Sequence, residues 1–177
     1  MDSTLPVIYL STLLVILTGA AIFILGQAFQ VRKKEVVLSK LQKKLKSEKG
    51  TAQEYYELGS IYLDKKLFVQ AVSVLQKALK SGEEVESENK ALIYNALGYS
   101  YFAQEQYDLA IRYYKDSVKQ NPNYVTGWNN LGHVYEKKQL TTNALESYEE
   151  ALKQEPGNSV AKRRVESLRK RMIPVKS

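Results

Sequence analysis

Between Asp2 and Arg32 the chain carries no charged side chain, and LPVIYLSTLLVILTGAAIFILGQAF, residues 5–29, is apolar or small at nearly every position. A run with no polar face predicts a helix in apolar surroundings on all sides. At ~1.5 Å of rise per residue it reaches about 35 Å, enough to cross a hydrocarbon core of about 30 Å with some tilt. A cleaved secretory leader would want a positive start, a shorter apolar stretch and a small-residue cleavage site. Here the early charge is negative and the run is too long, so residues 1–31 read as an uncleaved transmembrane anchor. Arg32, Lys33 and Lys34 follow at once as a membrane-surface cluster. That asymmetry predicts a single-pass protein with everything beyond residue 31 on the cytoplasmic or equivalent side.

The pattern then changes. Over 32–50, Val37, Leu38, Leu41 and Leu45 make one helical stripe, with Lys40, Lys43, Lys44, Lys46 and Lys49 mostly outside it. This basic amphipathic stalk would lie on anionic headgroups, each cation contributing about 1 kcal/mol near the surface, or continue the anchor as a solvated helix. Gly50 breaks the run, and Thr51-Ala-Gln-Glu54 has the form of a capping box opening a new helix.

From residue 51 the helical spacing persists in blocks that repeat. YYELGSIY holds Gly59, YNALGYSY holds Gly98 and WNNLGHVY holds Gly132. An aromatic stands four residues before each Gly (Tyr55, Tyr94, Trp128), a Leu directly before it, and a Tyr three after it (Tyr62, Tyr101, Tyr135). Twelve residues after each Gly is Ala71, Ala110 or Ala144. A large residue follows (Leu75, Tyr114, Tyr148), then a small one (Ala78, Ser117, Ala151), and two copies end in Pro122 and Pro156. The intervals between the glycines are 39 and 34 residues, the longer one accommodating the acidic run Glu83–Glu88, expected as a solvated turn. Three units result, 52–85, 91–124 and 125–158. Over 159–177, Asn158 or Ser159 can cap a last helix, with Ala161, Val165, Leu168 and Met172 on one side and a basic outer face.

Composition narrows the chemistry. The chain has no Cys and one His, which leaves no thiolate site and no multi-histidine metal site. The net charge of +7 is segregated: residues 32–50 and 159–177 are each +6, and residues 51–158 are −4. The body is not the basic surface that nucleic acid requires. His133, without an oriented Ser, Cys or Asp partner, is no catalytic site. No enzyme activity, cofactor or metal is expected.

The spacing W-x2-L-G-x2-Y followed by Ala, aromatic, Ala and Pro over 34 residues resembles the tetratricopeptide repeat. The resemblance implies an all-α fold: the transmembrane helix, then a right-handed superhelix of three helical hairpins (51–158) and a C-terminal capping helix. The Gly and Ala positions are small where two antiparallel helices of a unit cross closely, and the aromatic and Leu stripe fills the space beside them. The first helix of each unit would line a concave face. Among its side chains not committed to the packing of their own unit, Tyr56, Leu92, Asn95, Tyr99, Phe102, Asn129, Asn130 and His133 are the expected partner-binding set, with Leu92 and Phe102 also placed to pack between units. Aromatic anchors among amides suit a partner polypeptide. Chaperone-binding repeats hold a terminal carboxylate with cations; the matching positions here, Tyr56, Ser60, Ala96, Thr126 and Asn130, offer none.

Anchor, basic stalk, three repeats and basic cap together are similar to the small thylakoid-membrane tetratricopeptide proteins of cyanobacteria and plastids that assist photosystem I assembly or stabilisation. That resemblance implies a membrane-tethered scaffold for subunits of the complex. An anchored receptor for precursor peptides is a second reading. An RNA-binding helical-repeat protein is a third, disfavoured by the negative body and the Leu-Gly and Pro pattern.

Overall fold

A computed structural model describes residues 4–81 and 85–172, so Glu83, Glu84 and Pro174 lie outside the described residues. The chain divides into two units, 1–47 and 48–177. Among the described residues there are eight helices and no strand.

The first unit is one helix, α1 (Thr4–Ser47). Its apolar part is long and apolar enough to cross a membrane, with a mean hydropathy of 2.5 over its most apolar window. Large side chains from Val7 to Val31 are exposed all along it. The serine and threonine hydroxyls in this stretch bond back to its own carbonyls: Ser11 Oγ donates to Ile8 O at 2.9 Å and Thr18 Oγ1 to Leu14 O at 2.7 Å. They therefore need no water. The change of composition at Arg32 falls inside the helix and produces no break in the backbone.

The second unit contains α2 (Ala52–Asp64), α3 (Phe68–Leu79), α4 (Ser87–Ala103), α5 (Tyr107–Gln120), α6 (Val125–Lys137), α7 (Thr141–Gln154) and α8 (Ser159–Met172). Helix α2 opens on a complete capping box: Glu54 N–H donates to Thr51 Oγ1 and Thr51 N–H to Glu54 Oε2, both at 3.1 Å. Helix α8 is capped by Asn158, whose Oδ1 accepts from Ala161 N–H at 2.9 Å. Helix α4 starts at Ser87, ahead of the repeat pattern at 91. The end of the acidic run is thus helix rather than turn, and Glu88 sits in a first turn where the helix dipole favours a carboxylate.

Helices α2–α3, α4–α5 and α6–α7 pack as antiparallel pairs, and each second helix also packs on the first helix that follows, α3 on α4, α5 on α6 and α7 on α8. The first helices touch in series, α2 to α4 and α4 to α6. They form an inner layer with α3, α5 and α7 outside it.

Glycine explains how closely each pair approaches. A Cβ on Gly98 would stand 2.6 Å from Tyr114 Cδ1, one on Gly132 2.8 Å from Tyr148 Cζ, and one on Gly59 2.7 Å from Leu75. Tyr114, Tyr148 and Leu75 are themselves at most 2% exposed. Ala71, Ala110 and Ala144 are fully buried at the equivalent crossing. Ser117 Oγ donates to Ala91 O at 2.7 Å, tying α5 to α4.

All three turns between paired helices share one geometry. Lys66, Glu105 and Gln139 adopt φ of 58°, 59° and 59°. The next amides, Leu67, Gln106 and Leu140, reach back to Tyr62, Tyr101 and Tyr135 carbonyls at 2.8–2.9 Å. This is the Schellman ending, made here without glycine.

In α8, Ala161, Val165 and Leu168 are buried, but Met172 is 47% exposed, so the expected stripe runs off the packed surface at its last turn.

Candidate partner-binding face

The eight side chains expected on the inner helices differ in what each of them touches. Tyr56 and Leu92 come together, lining a cleft of about 290 Å³ with Gln53, Asn89 and Ile93 between α2 and α4. Its lining mixes these apolar side chains and amides with the Glu86 carboxylate. Tyr99 is 45% exposed, with its ring edge-on to Phe68 of α3 at 6.2 Å.

Other members are engaged with one another. Asn130 Nδ2 donates to Asn95 Oδ1 at 2.9 Å, a side-chain bond between α6 and α4. Phe102 stacks at a tilt on His133 (5.1 Å) and Tyr107 (5.7 Å). Asn129 Nδ2 points to Asn158 Oδ1 at 3.4 Å, while its own Oδ1 is buried without a partner. These residues hold successive helix pairs in register as well as facing the inner layer.

His133 is pushed below its ordinary pKa of 6.5, chiefly by burial, then by the Arg164 and Lys137 cations, with Glu136 opposing. It is a neutral ring next to an ion pair. Glu136 Oε1 accepts from Tyr148 Oη at 2.8 Å and lies 3.6 Å from Arg164 Nε. Burial, then the bond to Glu136, raises the Tyr148 phenol. Glu136 thereby connects α6, α7 and α8, a role that sequence position alone did not reveal.

Tyr124 was also not apparent. It lies between α5 and α6, off the repeating stripe, and burial raises its phenol, with the Tyr56 hydroxyl adding to the shift and a hydrogen bond with Thr126 opposing. Arg32, Lys33 and Lys34 are exposed on α1.

Two tetratricopeptide repeat family models match, one over residues 51–123 and one over 95–159. The ycf37 protein of Guillardia theta is 36% identical over 125 residues, covering 71% of this chain and 70% of that protein. The chain belongs to the tetratricopeptide repeat family. Its relatives in that family also include ycf37 of Cyanophora paradoxa, 36% identical across 71% of this chain and 72% of its own length. The chloroplastic tetratricopeptide repeat domain-containing protein PYG7 of Arabidopsis thaliana is 34% identical, covering 67% of this chain and 39% of that protein. Among solved structures, MamA superposes with a TM-score of 0.70 at 23% identity, covering 80% of this chain and 81% of MamA. YrrB, a TPR protein with an unusual peptide-binding site, superposes at 0.66 and 24% identity, covering 80% and 71% of the two chains. These superpositions establish the tetratricopeptide fold. As a tetratricopeptide repeat protein, the chain is a protein–protein interaction scaffold.

Proposed function

We propose that this protein is a membrane-tethered scaffold that holds subunits of a membrane complex during assembly, with photosystem I as the complex and the thylakoid as the membrane. One observation carries the reading: a helix with exposed apolar side chains, able to cross a bilayer, shares a chain with tetratricopeptide repeats. Tethering confines a binding module near membrane-bound clients and raises their effective concentration without tight contacts. The chloroplastic relative PYG7 supports a plastid setting. Residues 5–29 would span the bilayer, with Arg32, Lys33 and Lys34 at its stromal or cytoplasmic surface. The client would contact Tyr56, Leu92 and Tyr99, aromatic and apolar members of the inner layer that are at least partly exposed.

The cleft at Tyr56 and Leu92 favours a second reading, a receptor for precursor peptides. A cleft lined by Tyr56, Leu92 and Ile93 beside the amides Gln53 and Asn89 accepts one face of an amphipathic helix.

A photoreactive residue at Tyr99 or Tyr56 of the full chain in native membranes tests both. Capture of subunits of an assembling photosystem is the expected result, and capture of free precursors would establish the receptor instead. Crosslinks confined to outer-layer probes would reject both sites. For the anchor, carbonate washing should leave the full chain in membranes and release a variant lacking residues 1–31. Retention of that variant would overturn the tether.

A further inference from the structure

The second and third helix pairs differ in how one slot on the outer layer is filled. In the second pair the Tyr113 ring sits between two aromatic rings of α4, parallel to Tyr101 at 5.2 Å and 2°, and stacked on Tyr94 at 6.3 Å and 29°. The Arg112 guanidinium lies 6.0 Å from the Tyr113 centroid. The chain thus supplies both a ring and a cation to fill its own slot.

Thirty-four residues on, Trp128 and Tyr135 replace Tyr94 and Tyr101, but Ser147 replaces Tyr113 and Glu146 replaces Arg112. Ser147 turns its hydroxyl back to Asn143 O at 2.8 Å within its own helix. What remains between α5 and α7, over α6, is a cleft of about 450 Å³ lined by Trp128, Leu131, Tyr135 and Ser147, with Glu146 and Glu150 at its edge. It has room for an aromatic side chain together with a neighbouring residue.

Charge at the edge further selects the occupant. Glu146 is exposed and has no ion-pair partner among the described residues, while Glu150 pairs with Lys153. Lys115 of α5 also lines the cleft, 5.9 Å from the Tyr135 ring. A carboxylate therefore stands where the filled pair keeps its guanidinium.

We infer that this slot binds a basic–aromatic dipeptide presented by a partner protein, the partner supplying the ring and cation that Arg112 and Tyr113 supply in the preceding pair. The site is separate from the inner face, and crosslinking from Tyr99 does not bear on it.

Trp128 is the sole tryptophan and lines the slot, so its fluorescence reads occupancy directly. The full chain in detergent micelles is titrated with N-acetyl-Arg-Tyr-amide, with the Ala-Tyr and Glu-Tyr analogues as comparisons. The expected result is a saturable change with half-saturation on the order of 1 mM for Arg-Tyr, roughly what one buried ring supplies. Glu-Tyr should bind about fivefold more weakly or worse, from the charge contrast at a solvent-facing edge. Ser147→Tyr fills the slot from within and should abolish the response. Glu146→Gln combined with Glu150→Gln changes only the edge and should erase the preference for Arg-Tyr while keeping the ring response. It decides the question if Ser147→Tyr does not fold. A non-saturable response, an unchanged response in folded Ser147→Tyr, or a preference that survives the double glutamine variant would each overturn the assignment.

Discussion

The tightest contact in the repeats gives the sharpest prediction. Replacing Gly98 by Ala puts a methyl group 2.6, 2.7 and 2.9 Å from three atoms of the Tyr114 ring, which is 2% exposed. In an isolated helix the same change would stabilise by about 1 kcal/mol. Against that stands overpacking, about 1–3 kcal/mol. The upper half of that range applies, because a flat ring met by the methyl along one edge cannot swing its tip aside. The net expectation is a loss of about 1–2 kcal/mol. Gly59→Ala meets Leu75 at 2.7 Å, a branched chain with other rotamers, so it should cost less. Gly157→Ala has nothing within 4 Å and serves as the reference without a steric cost. Urea unfolding of the full chain in micelles, followed by Trp128 fluorescence, measures each variant. Tyr114→Leu recreates the first pair's partner at this crossing and should reduce the penalty of Gly98→Ala in a double-mutant cycle. The reasoning fails if Gly98→Ala is neutral or stabilising, or if the cycle shows no coupling.

Three further outcomes can be checked with the same unfolding measurement. Lys66→Gly, Glu105→Gly and Gln139→Gly should each stabilise by about 0.5–1 kcal/mol, since relief of left-handed strain exceeds the extra flexibility of the unfolded chain; destabilisation in two of the three would refute this. Asn95→Ala and Asn130→Ala should couple by about 0.5–1.5 kcal/mol if their 2.9 Å bond holds α4 to α6, and strict additivity would deny it. His133 has its folded pKa held below 6.5, so the unfolded chain takes up the proton first. Its stabilising contribution is therefore complete above 6.5 and is lost as pH falls through the folded value. His133→Gln should flatten that acid-side decline, and an unchanged slope would exclude His133 as its source.

Much of the architecture was legible because one register repeats. Gly98 and Tyr114 are sixteen positions apart, as are Gly132 and Tyr148, and the structure brings each pair into contact. The capping box at Thr51 was readable for a local reason: both its bonds lie within four residues. The left-handed turn residues were not readable. Lys66, Glu105 and Gln139 share no side-chain type, and none is the glycine that usually marks such a backbone. The inner face was only partly legible. Position on a helix identifies which side chains look inward, but cannot reveal that Asn130 will spend its amide on Asn95 one pair earlier. Tyr124 escaped because it stands outside the helical stripe, and the extra turn of α4 because the acidic run before it reads as loop.

Helix α1 has a mechanical consequence. Its 44 residues, about 66 Å end to end, run from Thr4 to Ser47 without a proline kink or glycine gap at the point where the lysines begin. A rod of that length is a pointer: each 10° of lean shifts its far end sideways by about 11 Å. Seated in a bilayer, its inclination would follow lipid thickness, and a sheet only slightly thinner than the apolar run would already swing Ser47 through a visible arc.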